Sequence, residues 1–271
     1  MAACNRLFCS LAASEKRQNI LKYAAIFLPC QPAKLLDFGD AHVFGIGSKK
    51  ICEKKMKYEA VVFDLDGTLL NTLEDLADCM NATIGEFGYA PQPLENYRYY
   101  VGDGVVNLAR RACCDSDISE ETIKKIVARN REIYGNGWAV KTRPYSGIPE
   151  LLDELAARGV KMSVMSNKPH QFTRLCVERF FDIDKFVVVQ GVMDGIAPKP
   201  DPAGVDMIVK TIGLPREKFL YLGDTNTDMK TAVAAKMFAV GATWGFRTAE
   251  ELLKYGAMKL VDRPEELLKL L

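Results

Sequence analysis

Five short apolar runs, each cut off by a polar residue or glycine, constrain this chain more than any other feature. Tyr58-Glu59-Ala60-Val61-Val62-Phe63 stops at Asp64, and Val160 to Met165 stops at Ser166-Asn167. Phe186 to Val189 ends at Gln190-Gly191, Phe219 to Leu222 at Gly223-Asp224, and Met237 to Val240 at Gly241. Runs this short and this apolar suit strands buried on both faces, as in a parallel sheet. Helical spacing fills the gaps. Ile148, Leu151, Leu152 and Leu155 precede the helix-stopping Gly159, followed by Phe172, Leu175, Cys176 and Phe180, then by Val205, Ile208, Val209 and Ile212. Strand–helix alternation of this kind predicts an α/β fold with a three-layer, Rossmann-like parallel sheet.

One insertion interrupts the rhythm. Leu73, Leu76, Ala77, Met80, Ile84 and Phe87 form an apolar stripe that closes at Gly88, and Val105 to Ala112 and Ile118 to Tyr134 read as two more helices. A helical module entered just after the first strand sits over the carboxyl ends of the sheet. The expected organisation is therefore a core of residues 56–72 and 140–271 with a helical cap at 73–139.

Residues 1–55 differ from the rest. They carry nine Lys/Arg against four acids, hold half the cysteines, and show no sustained period. Charges at Glu15, Lys16 and Arg17 precede any apolar core, which fits a signal peptide poorly. Glu53-Lys54-Lys55, encoded only by purine triplets, resembles a translated ribosome-binding site, so the folded protein is expected to start at Met56. The extension is read as poorly ordered or as a mis-assigned start.

Composition narrows the function. Lys+Arg 36 against Asp+Glu 35 leaves a formal charge of +1, so no general basic field recruits nucleic acid. The apolar runs fall far short of the ~20 residues that a membrane-spanning helix needs. Eight cysteines without a CxxC pair read as free thiols in a reducing cytoplasm. The expected partner is a small metabolite; oligomeric state is not legible.

The chemistry concentrates where strands stop, because ligands of open α/β sheets bind outside the strands' carboxyl ends. Asp64, Asp66, Ser166, Asn167, Asp224 and Asp228 should therefore meet in one pocket. Carboxylates gathered this closely cannot all stay ionised without a cation, and an all-oxygen site that keeps several waters suits Mg²⁺. A reacting phosphate is then cradled by the cation, the Ser166 hydroxyl, the Asn167 amide and a lysine.

Asp64-Leu65-Asp66-Gly67-Thr68-Leu69 resembles the first motif of the haloacid dehalogenase superfamily of phosphatases. Ser166-Asn167 resembles its second motif, Lys199 in Pro198-Lys199-Pro200 its third, and Gly223-Asp224-Thr225-Asn226-Thr227-Asp228 its fourth. The resemblance covers roughly residues 58–271. Within the family it is nearest to phosphoglycolate phosphatases, through Gly102-Asp103-Gly104 and Trp244-Gly245-Phe246-Arg247 as well.

The resemblance implies an Mg²⁺-dependent phosphatase acting on a small phosphate monoester, 2-phosphoglycolate first, through an aspartyl-phosphate. Asp64 is then the nucleophile and Asp66 the general acid and base, which needs a raised carboxyl pKa. Mg²⁺ sits on the side chains of Asp64 and Asp224 and the backbone carbonyl of Asp66. Asp228, one turn past Asp224, holds a water on the metal. Thr68, Ser166, Asn167 and Lys199 bind phosphate, with Lys199 neutralising the transferring group.

Pyrophosphatase and nucleotidase activities share such a site. A sugar-phosphate mutase of the same fold fits less well: it usually carries Glu where this chain has Gly223, and a cap Arg where Val105-Val106-Asn107 offers none. Asn107, Arg110 and Arg111 are the candidates for holding a substrate carboxylate. His170 is expected to be a first-turn helix residue, and Trp244-Gly245-Phe246 to serve packing. Lys236, following Ala234-Ala235 where such helices commonly close with Gly, is expected to carry left-handed strain.

Overall fold

A computed structural model describes residues 57–271, so the expectations for residues 1–55 and for a start at Met56 lie outside the described residues. In chain order the elements are β1 (Ala60–Phe63), β2 (Leu70–Asn71), α1 (Leu73–Glu86), α2 (Leu94–Tyr100), α3 (Val105–Cys113), α4 (Glu120–Gly137) and β3 (Arg143–Pro144). There follow α5 (Ile148–Ala157), β4 (Lys161–Pro169), α6 (His170–Phe180), β5 (Phe186–Val192), α7 (Ala203–Ile212) and β6 (Phe219–Gly223). The last are α8 (Asn226–Ala234), β7 (Phe238–Ala242), α9 (Ala249–Lys254) and β8 (Lys259–Val261).

Six strands form one parallel sheet in the order β5-β4-β1-β6-β7-β8. The reason lies in alternation. In central β1, Val61 and Phe63 face a core with Ile148, Leu151, Leu152 and Leu155 of α5 and Cys176 and Val177 of α6. Ala60 and Val62 face the opposite core, with Val205 and Ile208 of α7 and Met229 and Ala232 of α8. All four β1 residues are fully buried, which is why the run shows no polar alternation. Each of Val61, Val62 and Phe63, removed from water, contributes about 1.5–3 kcal/mol. The predicted three-layer α/β core is therefore present, with β8 as an added edge strand. Three residues with an exposed Lys259 are too few for a period to register.

The insertion is a helical cap with its own core. Met80 and Ile84 of α1, Tyr97 of α2, Leu108 and Ala112 of α3, and Ile123 and Ile126 of α4 are buried together, joined by Phe246 from the main body. Two features were not singled out in the sequence. Leu94-Glu95-Asn96-Tyr97-Arg98-Tyr99-Tyr100 is also helical, although mainly Tyr97 is buried and the sequence lacks an apolar stripe. The entry and exit segments pair as a small antiparallel ladder, Leu70 with Pro144 and Asn71 with Arg143. Buried Asp75 secures the exit segment by accepting from the backbone N–H groups of Lys141 and Thr142 and from the Thr142 hydroxyl. Among the described residues, no helix is long and apolar enough to cross a membrane.

Candidate active site

The carboxyl ends of β1, β4 and β6 lie side by side, because β4 and β6 flank β1 in the sheet. Asp64 continues β1, donating its N–H to the Leu222 carbonyl at 2.9 Å. The chain then folds back tightly, with Leu70 donating to Leu65 at 3.0 Å and Gly67 donating to Leu70 at 2.8 Å. Asp224 follows β6 directly, and Thr225 caps α8 with a reciprocal box to Asp228. Chain segments more than a hundred residues apart are thus delivered to one point.

Asp64, Asp224 and Asp228 are buried, and each offers a carboxylate oxygen within 4.8 Å of the others. Lys199 sits between two of them, with its Nζ donating to Asp64 Oδ1 and Asp228 Oδ1, each at 2.7 Å. Burial pushes the Asp64 carboxyl well above its ordinary range; Asp228 adds to this, and Lys199 partly offsets it. Asp224 is pushed up to about 7, by burial first and then by Asp228, against the donors Phe246 N–H and Thr68 Oγ1. One lysine does not balance three buried carboxylates, so the metal-free cluster is electrostatically unsatisfied.

Asp224 is also sterically confined. A Cβ at Gly67, whose φ is +96°, would stand 2.2 Å from Asp224 Oδ2, and one at Gly245 would stand 2.2 Å from its Cβ. Two glycines thus cradle the carboxylate, whose oxygens receive Thr68 Oγ1 at 2.7 Å and the Phe246 N–H at 2.8 Å. Buried all-oxygen donors with excess negative charge fit a small divalent cation.

Asp64 is the member of this cluster that lines a cavity of about 720 Å³, part of it open to solvent. Asp64, Asp66, Ser166 and Asn167 line it from below and the cap helices from above. The sequence-expected residues converge, with differences of detail. Ser166 lies inside β4, and its hydroxyl accepts the Lys168 N–H at 3.2 Å, leaving its own proton to donate. Thr68, expected on phosphate, instead donates to Asp224. Asn167 was also expected to offer its amide to phosphate. Both its amide hydrogens go to the carbonyls of Gly102 and Lys199, each at 3.0 Å, and its oxygen accepts Lys199 N–H at 2.8 Å. It therefore joins the cap loop to the lysine loop. Asp228, expected to hold a water, has its oxygens engaged by Lys199, Tyr221 and Thr225.

The cap candidates also move. Arg110 pairs with Glu120, Arg111 with Asp103, and the Asn107 amide with the Asp103 carbonyl, and none of the three lines the cavity. Lys236 has φ 57°, the left-handed conformation expected of it. His170 opens α6 and accepts the Gly191 N–H at 3.3 Å through Nδ1.

Sequence reasoning passed over two contributors. Lys168, 6% exposed, reaches Asp66 at 2.8 and 3.2 Å. Burial opposes its charge most strongly, and Asp66, Tyr134 and Cys176 together outweigh this, so its pKa stands well above the ordinary lysine value. The signal was a charged residue at the end of an apolar strand, directly after Ser166-Asn167. The other is the segment Trp244 to Arg247, of which Trp244-Gly245-Phe246 was expected to serve packing. The Trp244 indole donates to the Thr68 carbonyl at 3.0 Å, Phe246 N–H binds Asp224, and Arg247 donates to the Val101 carbonyl in the cap at 2.9 Å. This segment holds the acid cluster and the cap together.

A parallel sheet carrying an acidic cluster and a helical cap defines a cap-bearing α/β hydrolase. The family model for haloacid dehalogenase-like hydrolases matches residues 61–242. A phosphoglycolate phosphatase from Pseudomonas aeruginosa is 30% identical over 212 residues, covering 77% of this chain and 78% of its own. Another, from Rhodospirillum rubrum, is 31% identical over 75% of this chain and 87% of its own length. A predicted phosphoglycolate phosphatase from Haemophilus somnus superposes with a TM-score of 0.74 at 25% identity, over 79% of this chain and 98% of that one. A crystal structure from Lactobacillus delbrueckii subsp. bulgaricus gives 0.72 at 33% identity, over 80% and 99%. The chain belongs to the haloacid dehalogenase-like hydrolase family and is a phosphoric monoester hydrolase of phosphoglycolate-phosphatase-like sequence.

Proposed function

We propose that this hydrolase cleaves a small phosphate monoester, 2-phosphoglycolate first, through an aspartyl-phosphate on Asp64. The carrying observation is the buried cluster of Asp64, Asp224 and Asp228 around Lys199, which reaches through Asp64 a cavity also lined by Asp66 and Ser166. The Asp64 and Asp224 side chains, with the Asp66 carbonyl, would hold Mg²⁺, which would supply positive charge to balance the carboxylates and the phosphate oxygens.

The chain's own groups do the rest. A carboxylate oxygen of Asp64 forms a bond to phosphorus as the ester's P–O bond breaks, and Asp66 gives its proton to the departing alkoxide. Water then attacks the phosphorus and passes a proton to Asp66; the Asp64–phosphate bond breaks and inorganic phosphate leaves. Lys168 holds Asp66 by both oxygens, so the carboxyl is oriented before substrate arrives. Lys199 holds Asp64 in place, and Asp228 in turn holds Lys199. Ser166 donates its free hydroxyl proton to a phosphate oxygen. Asp228, Thr68 and Asn167 act through the groups they position.

The mutase alternative loses support at Gly223, where even a Cβ would lie 2.3 Å from the Cβ of Asp228. A glutamate there displaces the residue that holds Lys199. The working partner is a small phosphorylated metabolite, and the place of work the cytoplasm, which suits the free thiols of Cys79, Cys113, Cys114 and Cys176.

Phosphate release from a panel of monoesters, measured with and without a chelator, tests the reading. Release is expected to stop on chelation, and Asp64→Asn to lower kcat by about a thousandfold or more. Turnover unchanged in Asp64→Asn removes Asp64 as nucleophile.

A further inference from the structure

The cavity has four charged side chains on its wall: Asp64, Asp66, Lys168 and Arg131. Three of them have ion-pair partners within the protein: Asp64 shares Lys199 with Asp228, and Asp66 pairs with Lys168. Arg131 has no hydrogen bond or ion pair among the described residues. It lies on α4 within a stripe of cavity-lining residues at helical spacing, Val127, Asn130, Arg131 and Tyr134, so its position on that wall follows from the helix itself.

Its surroundings separate it from an ordinary surface arginine. Leu76, Val105 and Leu108 make the neighbouring cap wall apolar. Tyr134, 5% exposed, has a hydroxyl with no hydrogen-bond partner. The Asn130 amide donates to Thr83 Oγ1 at 3.1 Å, which holds this stretch of α4 against α1. The cavity thus has an acidic floor whose charged groups are engaged with lysines, and one cation on the cap side, Arg131, with no ion-pair partner among the described residues.

We propose that Arg131 is a specificity-determining residue that binds a carboxylate on the substrate, selecting small phosphate monoesters with a carboxylate at the end away from the phosphate. The inference rests on the phosphatase reading and deepens it. A planar guanidinium presents two parallel N–H donors that match the two oxygens of one carboxylate, and its single charge balances one such group. It also replaces the α3 arginines as the site of that contact, since Arg110 and Arg111 are held by Glu120 and Asp103.

The test compares kcat/KM for 2-phosphoglycolate with kcat/KM for ethyl phosphate, the ester of similar size without a carboxylate. Each is measured on the wild-type chain, Arg131→Gln and Arg131→Lys. Because Arg131 is exposed and makes no contact that folding depends on, these variants leave the core as it is. Wild type is expected to favour 2-phosphoglycolate. Arg131→Gln is expected to lower that preference by about tenfold or more, through KM, and Arg131→Lys, which keeps the charge and loses the fork, by less. A preference unchanged in Arg131→Gln, with both esters still hydrolysed, overturns the inference and leaves the phosphatase reading standing. Release of phosphate from neither ester by wild type overturns both.

Discussion

At the scale of single residues, two lysines are responsible for the site's geometry. Lys199 and Lys168 are almost fully buried, and each is fixed by carboxylates that are buried with it. Pairs of this kind contribute little net stability, since desolvation offsets the attraction, yet removing one partner strands the other. Lys168→Met is accordingly expected to destabilise the fold by about 3 kcal/mol. Adding Asp66→Asn should recover most of that loss without restoring turnover. Denaturant titration of the two variants and the double variant measures the coupling. Additive effects would mean that the pair is not a unit.

At the scale of elements, function depends on a strand end and a loop that hold another segment in place. Trp244 to Arg247 reaches back to Thr68, to Asp224 and up to the cap, so one stretch after β7 ties three parts of the molecule. The end of α8 shows the opposite economy. Ala235 closes the helix and Lys236 turns left-handed at φ 57°, where the sequence supplies no glycine. Lys236→Gly is expected to raise stability by about 0.5–1 kcal/mol, a Tm gain of roughly 2 °C, with catalysis untouched. A lower Tm in that variant would show that the lysine side chain stabilises more than its backbone strain costs.

At the scale of the whole molecule, folding, protonation and cation binding are one linked equilibrium. Asp224 titrates near 7 in the metal-free fold against an ordinary 3.8, so the folded state retains a proton that the unfolded chain has released. A raised carboxyl favours the fold at low pH, and that contribution is lost as pH climbs from about 4 through about 7. The metal-free Tm should therefore fall across that window. A divalent cation needs the deprotonated carboxylate, so its stabilising effect grows in the same direction. Thermal melts in chelator and in Mg²⁺ at about pH 5.5 and about pH 8 check the sign: the Mg²⁺-induced gain should be larger at the higher pH. Equal gains would place the cation away from Asp224.

The sequence by itself determined the strand ends, the cap's place after the first strand, and that Asp64 and Asp224 stand where strands stop. These are local properties: an apolar run and the polar residue that breaks it are neighbours along the chain. The tertiary structure alone decided which donor meets which acceptor. Thr68 and Asn167 carry the right polar groups for a phosphate, but each found a protein partner first. Lys168 and Arg131 look alike as charged residues in the sequence. Packing buries one against Asp66 and leaves the other, on the cavity wall, without a counter-ion among the described residues. Burial and pairing depend on segments that are distant in sequence and meet only in the fold, so no local pattern along the chain encodes them.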